Sequence, residues 1–369
     1  MSLFPPRLRA QIVKELLSVL RDPRSRFVLI GPPLLQLFIF SFAATLEVDN
    51  VRLAVLDRDS GRWSHELVAQ VAAAGFVREM VTVQGAAELH DLIDRRRVLA
   101  GLDIPENFSR EVAAGRPASA QLIVDGRRAS AGQVTVGYLQ VIASRVAAQR
   151  SGSPSLEELV AVRHWFNPNL TYRWFIVPSL AGILATFITL LVTALSIARE
   201  RELGTFDQLL VSPCTPGEII VAKMVPALLI GTVLAGVMVT AGILAFRVPF
   251  TGSLPLLLLS LVLFILSIVG IGLMISSVCA TQQQAILGTF AVGVPTVLMS
   301  GFATPVENMP VVLQWAAEAI PLKHFLVIVQ GSFMKGLPPA EVLANAWPMA
   351  LIAVVTLGVA TVFVRSRLQ

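Results

Sequence analysis

"WFIVPSLAGILATFITLLVTALSIARERELGTFDQLLVSPCTPGEIIVAKMVP" occupies residues 174–226. Its first 25 residues, Trp174–Ala198, contain no Asp, Glu, Lys or Arg, and then charge, glycine and proline crowd together before a second apolar run begins at Met224. A helix needs roughly 20 apolar residues to cross the hydrocarbon core of a bilayer. The same test picks out Phe27–Leu46 (20 residues), Met224–Phe246 (23) and Val342–Val364 (23). Val248–Val306 stays uncharged for 59 residues, enough for two spans, with a polar break at Cys279–Gln284, "CATQQQ".

The rest of the composition agrees. The chain of 369 residues is 55% hydrophobic and 14% charged, with mean hydropathy +0.73, where an ordinary soluble domain carries about 25% charged residues. The expected fold is therefore an α-helical membrane protein with six transmembrane helices, plus an extracytoplasmic α/β domain inserted between the first and second. By segment, 1–26 is a cytoplasmic amphipathic interfacial helix and 27–46 the first span. Residues 47–173 form the extracytoplasmic domain, and 174–369 carry spans two to six.

Charge sets orientation. Residues 47–173 hold 15 Arg against 15 Asp plus Glu, whereas residues 1–46 hold six Lys/Arg against Glu15 and Asp22. The excess of +5 is thus a membrane-flank feature rather than a nucleic-acid face. With the N-terminus inside, eleven Lys/Arg near span ends fall on the cytoplasmic side and three (Arg247, Lys323, Lys335) on the other. The positive-inside rule then expects both termini on the cytoplasmic side of the membrane. "SFA" at 41–43 faintly resembles a signal cleavage site, but 26 residues precede the apolar run and the first span is read as retained. The two cysteines, Cys214 and Cys279, make no disulfide framework.

Within residues 6–21, Leu8, Ile12, Leu16, Val19 and Leu20 recur at helical spacing. Arg9, Lys14, Glu15 and Arg21 are assigned to other faces, a pattern for a helix lying in the interface. Pro32–Pro33 predicts a kink or late helix start in the first span. In the inserted segment, 51–57, 76–83, 98–105 and 120–126 are expected strands and 62–74, 85–97, 106–114 and 129–150 helices, a small mixed-sheet α/β unit. Residues 304–339, broken by Pro305, Pro310 and Pro321, are expected as helices dipping into the outer interface, with Trp315, Phe325 and Phe333 at that depth.

Several chemistries are absent. None of the four histidines (His65, His90, His164, His324) stands in H-E-x-x-H, and no G-x-S-x-G, C-x-x-C or G-x-x-x-x-G-K-[ST] occurs. No metal or cofactor is expected, and ATP cannot be cradled by a P-loop here. The apolar runs also lack the ionisable groups that ion-coupled carriers place in the membrane. Their Thr186, Thr189, Thr193, Thr289 and Thr296 are read as helix-packing groups. "DRRR" at 94–97 is read as a solvated helix end and Asp125-Gly126 as a turn.

The joint at 198–226 falls in the cytoplasm. Gly204 is a natural C-terminal cap. "TFDQLLVS" (205–212) offers Phe206, Leu209 and Leu210 on one face, Pro213 stops it, and Thr215-Pro216-Gly217-Glu218 is a capping box. Spacing alone leaves two readings open: a loop resting on lipid headgroups, or a docking element for a partner.

The run "ARERELGTFDQLLVSPCTPGEIIVAK" (198–223) resembles the coupling segment of ABC-2 type transporter permeases. "FNPNLTYRWFIVP" (166–178), "AGLDIPENFSREV" (100–112) and "GFATPVENMPVVLQWAAEAIPLKHFLVIVQGSFMKG" (301–336) agree in order, and the chain looks most like the drug or multidrug exporter subfamily with a large external domain. Cys214 departs from the apolar residue common there. The resemblance implies an exporter permease that pairs as a homodimer or heterodimer. It would bind two copies of a cytoplasmic ATPase, which carries the ATP and Mg, and move a hydrophobic or amphiphilic, drug- or lipid-like substrate. It implies a coupling helix at 203–213, with Glu202, Gly204, Thr205, Phe206, Asp207, Gln208, Leu209 and Leu210 as the ATPase-coupling residues. Substrate would pass along the dimer interface, between spans that include the second and fifth in relatives; Gly288, Gly293, Pro295 and Gly301 give the fifth span flexibility or close packing. Membrane lipid and a periplasmic adaptor are further expected partners. The rival readings are a non-transporting signalling or scaffold subunit with a ligand-binding external domain, and an ATP-independent carrier or channel.

Overall fold

The computed structural model describes residues 5–21, 23–43, 50–151, 165–169, 171–205 and 215–368. The chain divides into two compact units, Thr45–Tyr172 and Met1–Ala44 with Arg173–Gln369.

The first unit is built on strands β1 (Val51–Asp57), β2 (Val77–Thr82), β3 (Ala100–Ile104) and β4 (Gln121–Val124), in the order β2-β1-β3-β4. β1 pairs parallel with β2 and β3, while β4 closes the edge antiparallel to β3. Helices α3 (Arg62–Ala72), α4 (Ala86–Asp94) and α5 (Phe108–Ala113) follow β1, β2 and β3, and α6 (Ala129–Ser151) follows β4. The central strand β1 is buried on both faces, as parallel strands covered by crossover helices are. Leu53 and Val55 join Leu67, Val71, Ile104, Leu139 and Ile142 on one side. Ala54 and Leu56 join Leu89 and Ile93 on the other. Alternation along a strand divides the two cores.

The second unit is helical: α1 (Pro6–Arg21), α2 (Pro23–Ala43), α7 (Tyr172–Glu202), α8 (Pro216–Leu244), α9 (Leu254–Val278), α10 (Gln282–Leu298), α11 (Val311–Glu318), α12 (Pro321–Met334) and α13 (Pro339–Leu368). Four of these are long and apolar enough to cross a membrane: Tyr172–Glu202, Gly217–Leu244, Leu254–Val278 and Pro339–Phe363. A fifth results if α11 and α12, bent by 77°, make one broken span. Six is not reached by this measure among the described residues, where α2 contributes only the shorter apolar stretch Ile30–Phe42 and α10 has 17 residues.

The helical unit has apolar groups outside and small polar groups inside. Leu229, Val233 and Val237 of α8, Leu287 and Phe290 of α10, and Leu351, Val354 and Val362 of α13 are exposed. Ser179, Thr186, Thr193, Ser276 and Thr289 are buried. A surface so apolar suits lipid or another apolar partner rather than water. Thr186 and Thr289 donate to the carbonyls of Gly182 and Ala285 one turn back, both at 2.9 Å, so these hydroxyls are satisfied within their own helices. Close crossings depend on glycine: a Cβ at Gly272 would lie 1.7 Å from Thr193 Oγ1. Gly293 of α10 packs likewise, its Cβ position being 2.6 Å from Phe187 of α7.

Two expectations need correction. Phe325 and Phe333 are fully buried rather than interfacial, and only Trp315 is exposed. Phe325 stacks on Phe264 of α9 at 4.4 Å and lies against Gly182 of α7, so α12 is a core element. Glu15 does not occupy an outer face of α1; it is buried together with Leu8. Seven residues are nearly two full turns, which puts Glu15 on the stripe that begins at Leu8.

Candidate functional site at the end of helix α7

Helix α7 leaves the apolar unit through Arg199-Glu200-Arg201-Glu202 and stops at Gly204. Gly204 has φ +68°, a left-handed conformation that a side chain strains. The Thr205 N–H donates to the Glu200 carbonyl at 2.9 Å and the Gly204 N–H to the Arg201 carbonyl at 3.1 Å. This pair of bonds is a Schellman cap, which satisfies the last carbonyls of the helix. Across the joint, α8 opens on a capping box. The Glu218 N–H donates to Thr215 Oγ1 at 3.3 Å, and Glu218 Oε2 accepts from the Thr215 N–H at 2.7 Å. Both ends of the joint are therefore set by local chemistry.

The three residues before the cap each fasten a different element. Glu200 is buried and accepts from Lys223 of α8 at 2.6 Å and from Lys14 of α1 at 3.1 Å. Lys223, 2% exposed, also reaches Glu15 of α1 at 3.3 Å and the Ser196 carbonyl at 3.1 Å. The cluster holds two cations and two anions, which is what makes burial of these charges tolerable. Burial pushes the Glu15 carboxyl above its usual range, against the opposing pull of Lys223.

Arg201 points the other way. Its guanidinium donates to the carbonyls of Ser277, at 2.8 Å, and Cys279, at 3.1 Å, where α9 ends. A cation there complements the negative end of the helix dipole. Glu202 Oε2 accepts from the Gln282 N–H, the first of α10, at 2.6 Å, and so places an anion at the positive end of that helix. Thr281 Oγ1 accepts from the Gln284 N–H at 3.3 Å, and Gln284 Oε1 accepts from the Ala280 N–H at 2.9 Å. The polar break "CATQQQ" is thus a helix stop followed by a capped start. One turn inside, Ser276 Oγ of α9 donates to the Ala194 carbonyl at 2.6 Å and accepts from the Ile197 N–H at 3.0 Å.

Of the expected coupling residues, Glu202, Gly204 and Thr205 lie at this cap. Phe206, Asp207, Gln208, Leu209 and Leu210, and with them the amphipathic helix of the joint, lie outside the described residues. The structure adds Glu15, Glu200, Arg201, Lys223 and Ser276. Glu15 was within reach of a stricter helical count; the contacts of Arg201 and Glu202 span 76 to 80 residues and have no periodic signature. Among the described residues no group of three or more His, Cys, Asp or Glu side chains could hold a metal ion.

Residues 24–362 match the model of the family described as "ABC-2 family transporter protein". The chain is 42% identical over 366 residues to "Probable multidrug ABC transporter permease YbhR" of Escherichia coli K12, covering 98% of this chain and 99% of that one. It is 33% identical over 347 residues to "Inner membrane transport permease YhhJ" of the same strain, covering 88% of this chain and 87% of that one. It is also 28% identical over 369 residues to "Probable multidrug ABC transporter permease YbhS", covering 98% of each. The chain is a multi-pass membrane protein, and it belongs to the ABC-2 family of transporters as a permease.

Proposed function

We propose that this chain is the transmembrane half of an ATP-driven exporter in a bacterial inner membrane. Two permease chains, identical or paralogous, assemble with two copies of a separate cytoplasmic ATPase, which binds the ATP and Mg. Residues 203–213 form the element that docks on that ATPase, with Glu202, Gly204, Thr205, Phe206, Asp207, Gln208, Leu209 and Leu210 as the coupling residues. Six spans cross the bilayer with both termini cytoplasmic, the first and fifth being the short ones, and residues 47–173 lie outside. The substrate is hydrophobic or amphiphilic.

The observation that carries the reading is the joint between α7 and α8. It is bounded by a Schellman cap and a capping box, and its root is bolted to α1, α8, α9 and α10 by Glu200, Arg201 and Glu202. A headgroup-resting loop has no need of such an anchorage, whereas a lever that receives force does. The relatives named as multidrug and transport permeases support the transport class. The test is purification from the host in mild detergent, which should bring an ATP-hydrolysing subunit along. Gly204→Pro combined with Leu209→Asp should then leave the complex unable to link hydrolysis to transport. Retained coupling in that variant refutes the role given to the joint, and absence of any ATPase refutes the transporter reading.

A further inference from the structure

Consecutive side chains at the root of the joint grip both ends of one turn. Arg201 holds the last carbonyls of α9 and Glu202 holds the first N–H of α10. We propose that Glu202 is a positioning residue for transport: through its bond to the Gln282 N–H, movement of the joint is delivered directly to α10, the fifth span, and not only along α7. This rests on the proposed ATPase-driven function and specifies the internal half of the coupling path.

The argument is geometric. Gly204 ends α7 two residues after Glu202, so the carboxylate moves with whatever moves the joint. The receiving amide is at the first turn of α10, where a helix is held by few internal bonds and responds to an outside partner. Arg201 keeps the turn 279–281 from lagging behind, because it holds the carbonyls of Ser277 and Cys279 at its start while Glu202 holds the residue after it. Deeper in α10, Gly288 and Gly293 bring it close to Ile275 of α9 and Phe187 of α7, so displacement at its N-terminus meets packed neighbours.

Cys279 lies in the gripped turn, and among the described residues it is a free, partly exposed thiol, which makes it a reporter. The experiment uses the permease carrying Cys214→Ser, purified with its ATPase in lipid nanodiscs, and measures maleimide labelling of Cys279 without nucleotide and with a non-hydrolysable ATP analogue. The labelling rate should differ between the two states in the parent. In Glu202→Ala the difference should shrink by about tenfold, the lower end of what one charge-assisted hydrogen bond contributes. Glu202→Gln keeps an oxygen acceptor for the Gln282 N–H and should restore the response; a role in folding alone would not produce this pairing of results. The inference is overturned if Glu202→Ala keeps the full nucleotide response, or if the parent shows none while its ATPase is bound and turning over. If no ATPase accompanies the parent, the proposed function fails first and the inference with it.

Discussion

The α/β unit and the helical unit use charge in opposite ways. In the α/β unit the buried carboxylates Asp103 and Asp125 are each paired with a single arginine that stays half in solvent. Arg58 makes a two-toothed pair with Asp103 at 2.7 Å, and Arg127 holds Asp125 at 2.7 Å, with both arginines about half exposed. In the helical unit the outer surface is apolar and the charges are drawn inward to the helix ends. Lys223 is 2% exposed and Glu15 and Glu200 are 8% exposed. A pair whose cation stays in solvent is screened and stabilises little, whereas breaking a cluster in which cation and anions are all buried leaves a charge without a partner. The cations stay half in solvent in one unit, whereas Lys223 is buried as a fastening in the other.

The largest expected effect breaks the fastening. Lys223→Ala leaves Glu15 and Glu200 to share Lys14 alone, and should destabilise the helical unit by about 3–5 kcal/mol, read as a lower melting temperature in detergent. Lys223→Met with Glu15→Leu keeps Lys14 opposite Glu200 and should recover part of that loss. If Lys223→Ala melts like the parent, the cluster is not a fastening.

Next, Ile104→Ala removes a fully buried side chain from the α/β unit, at about 2–5 kcal/mol. Hydrogen exchange should rise in β1 and β3 while α7 and α9 keep their protection, because the two units have separate cores. Thr215→Ala removes the cap of α8 and should cost about 1 kcal/mol, visible as faster exchange confined to its first turn.

The smallest effect is one of sign. Hydrogen bonds from Arg127 and Arg116 hold Asp125 and Glu111 below the usual carboxylate range. Their contribution is complete above that range and lost as pH falls through the lowered values. Glu15 is pushed up by burial, so the folded state holds its proton longer. Its contribution is complete below the usual range and declines as pH rises to the raised value. Acidification below about pH 4 should therefore loosen the α/β unit around Asp125 and Glu111 but not α1 around Glu15. Parallel loosening in exchange experiments would contradict this contrast.

Local features were legible in the sequence because local chemistry determines them. The strand limits 51–57, 76–83, 98–105 and 120–126 lie within three residues of β1 to β4, since short apolar runs and the turn residues between them mark them off. Gly204 and the Thr215–Glu218 box were legible for the same reason, being caps encoded within four residues. Depth was not legible. Phe325 and Phe333 carry no mark that separates a lipid interface from a protein core, and only their packing against Phe264 and Phe250 decides it. Nor could Arg201 or Glu202 announce a partner almost eighty residues later.

The central claim is that residues 203–213 receive force from an ATPase on another chain. A photo-crosslinking amino acid placed at Leu209, in the permease purified with its ATPase, tests it most directly. The account predicts a crosslinked adduct with the ATPase subunit whose yield changes when nucleotide is added. An intact complex that hydrolyses ATP yet crosslinks at Leu209 only to lipid or to the permease itself would contradict it.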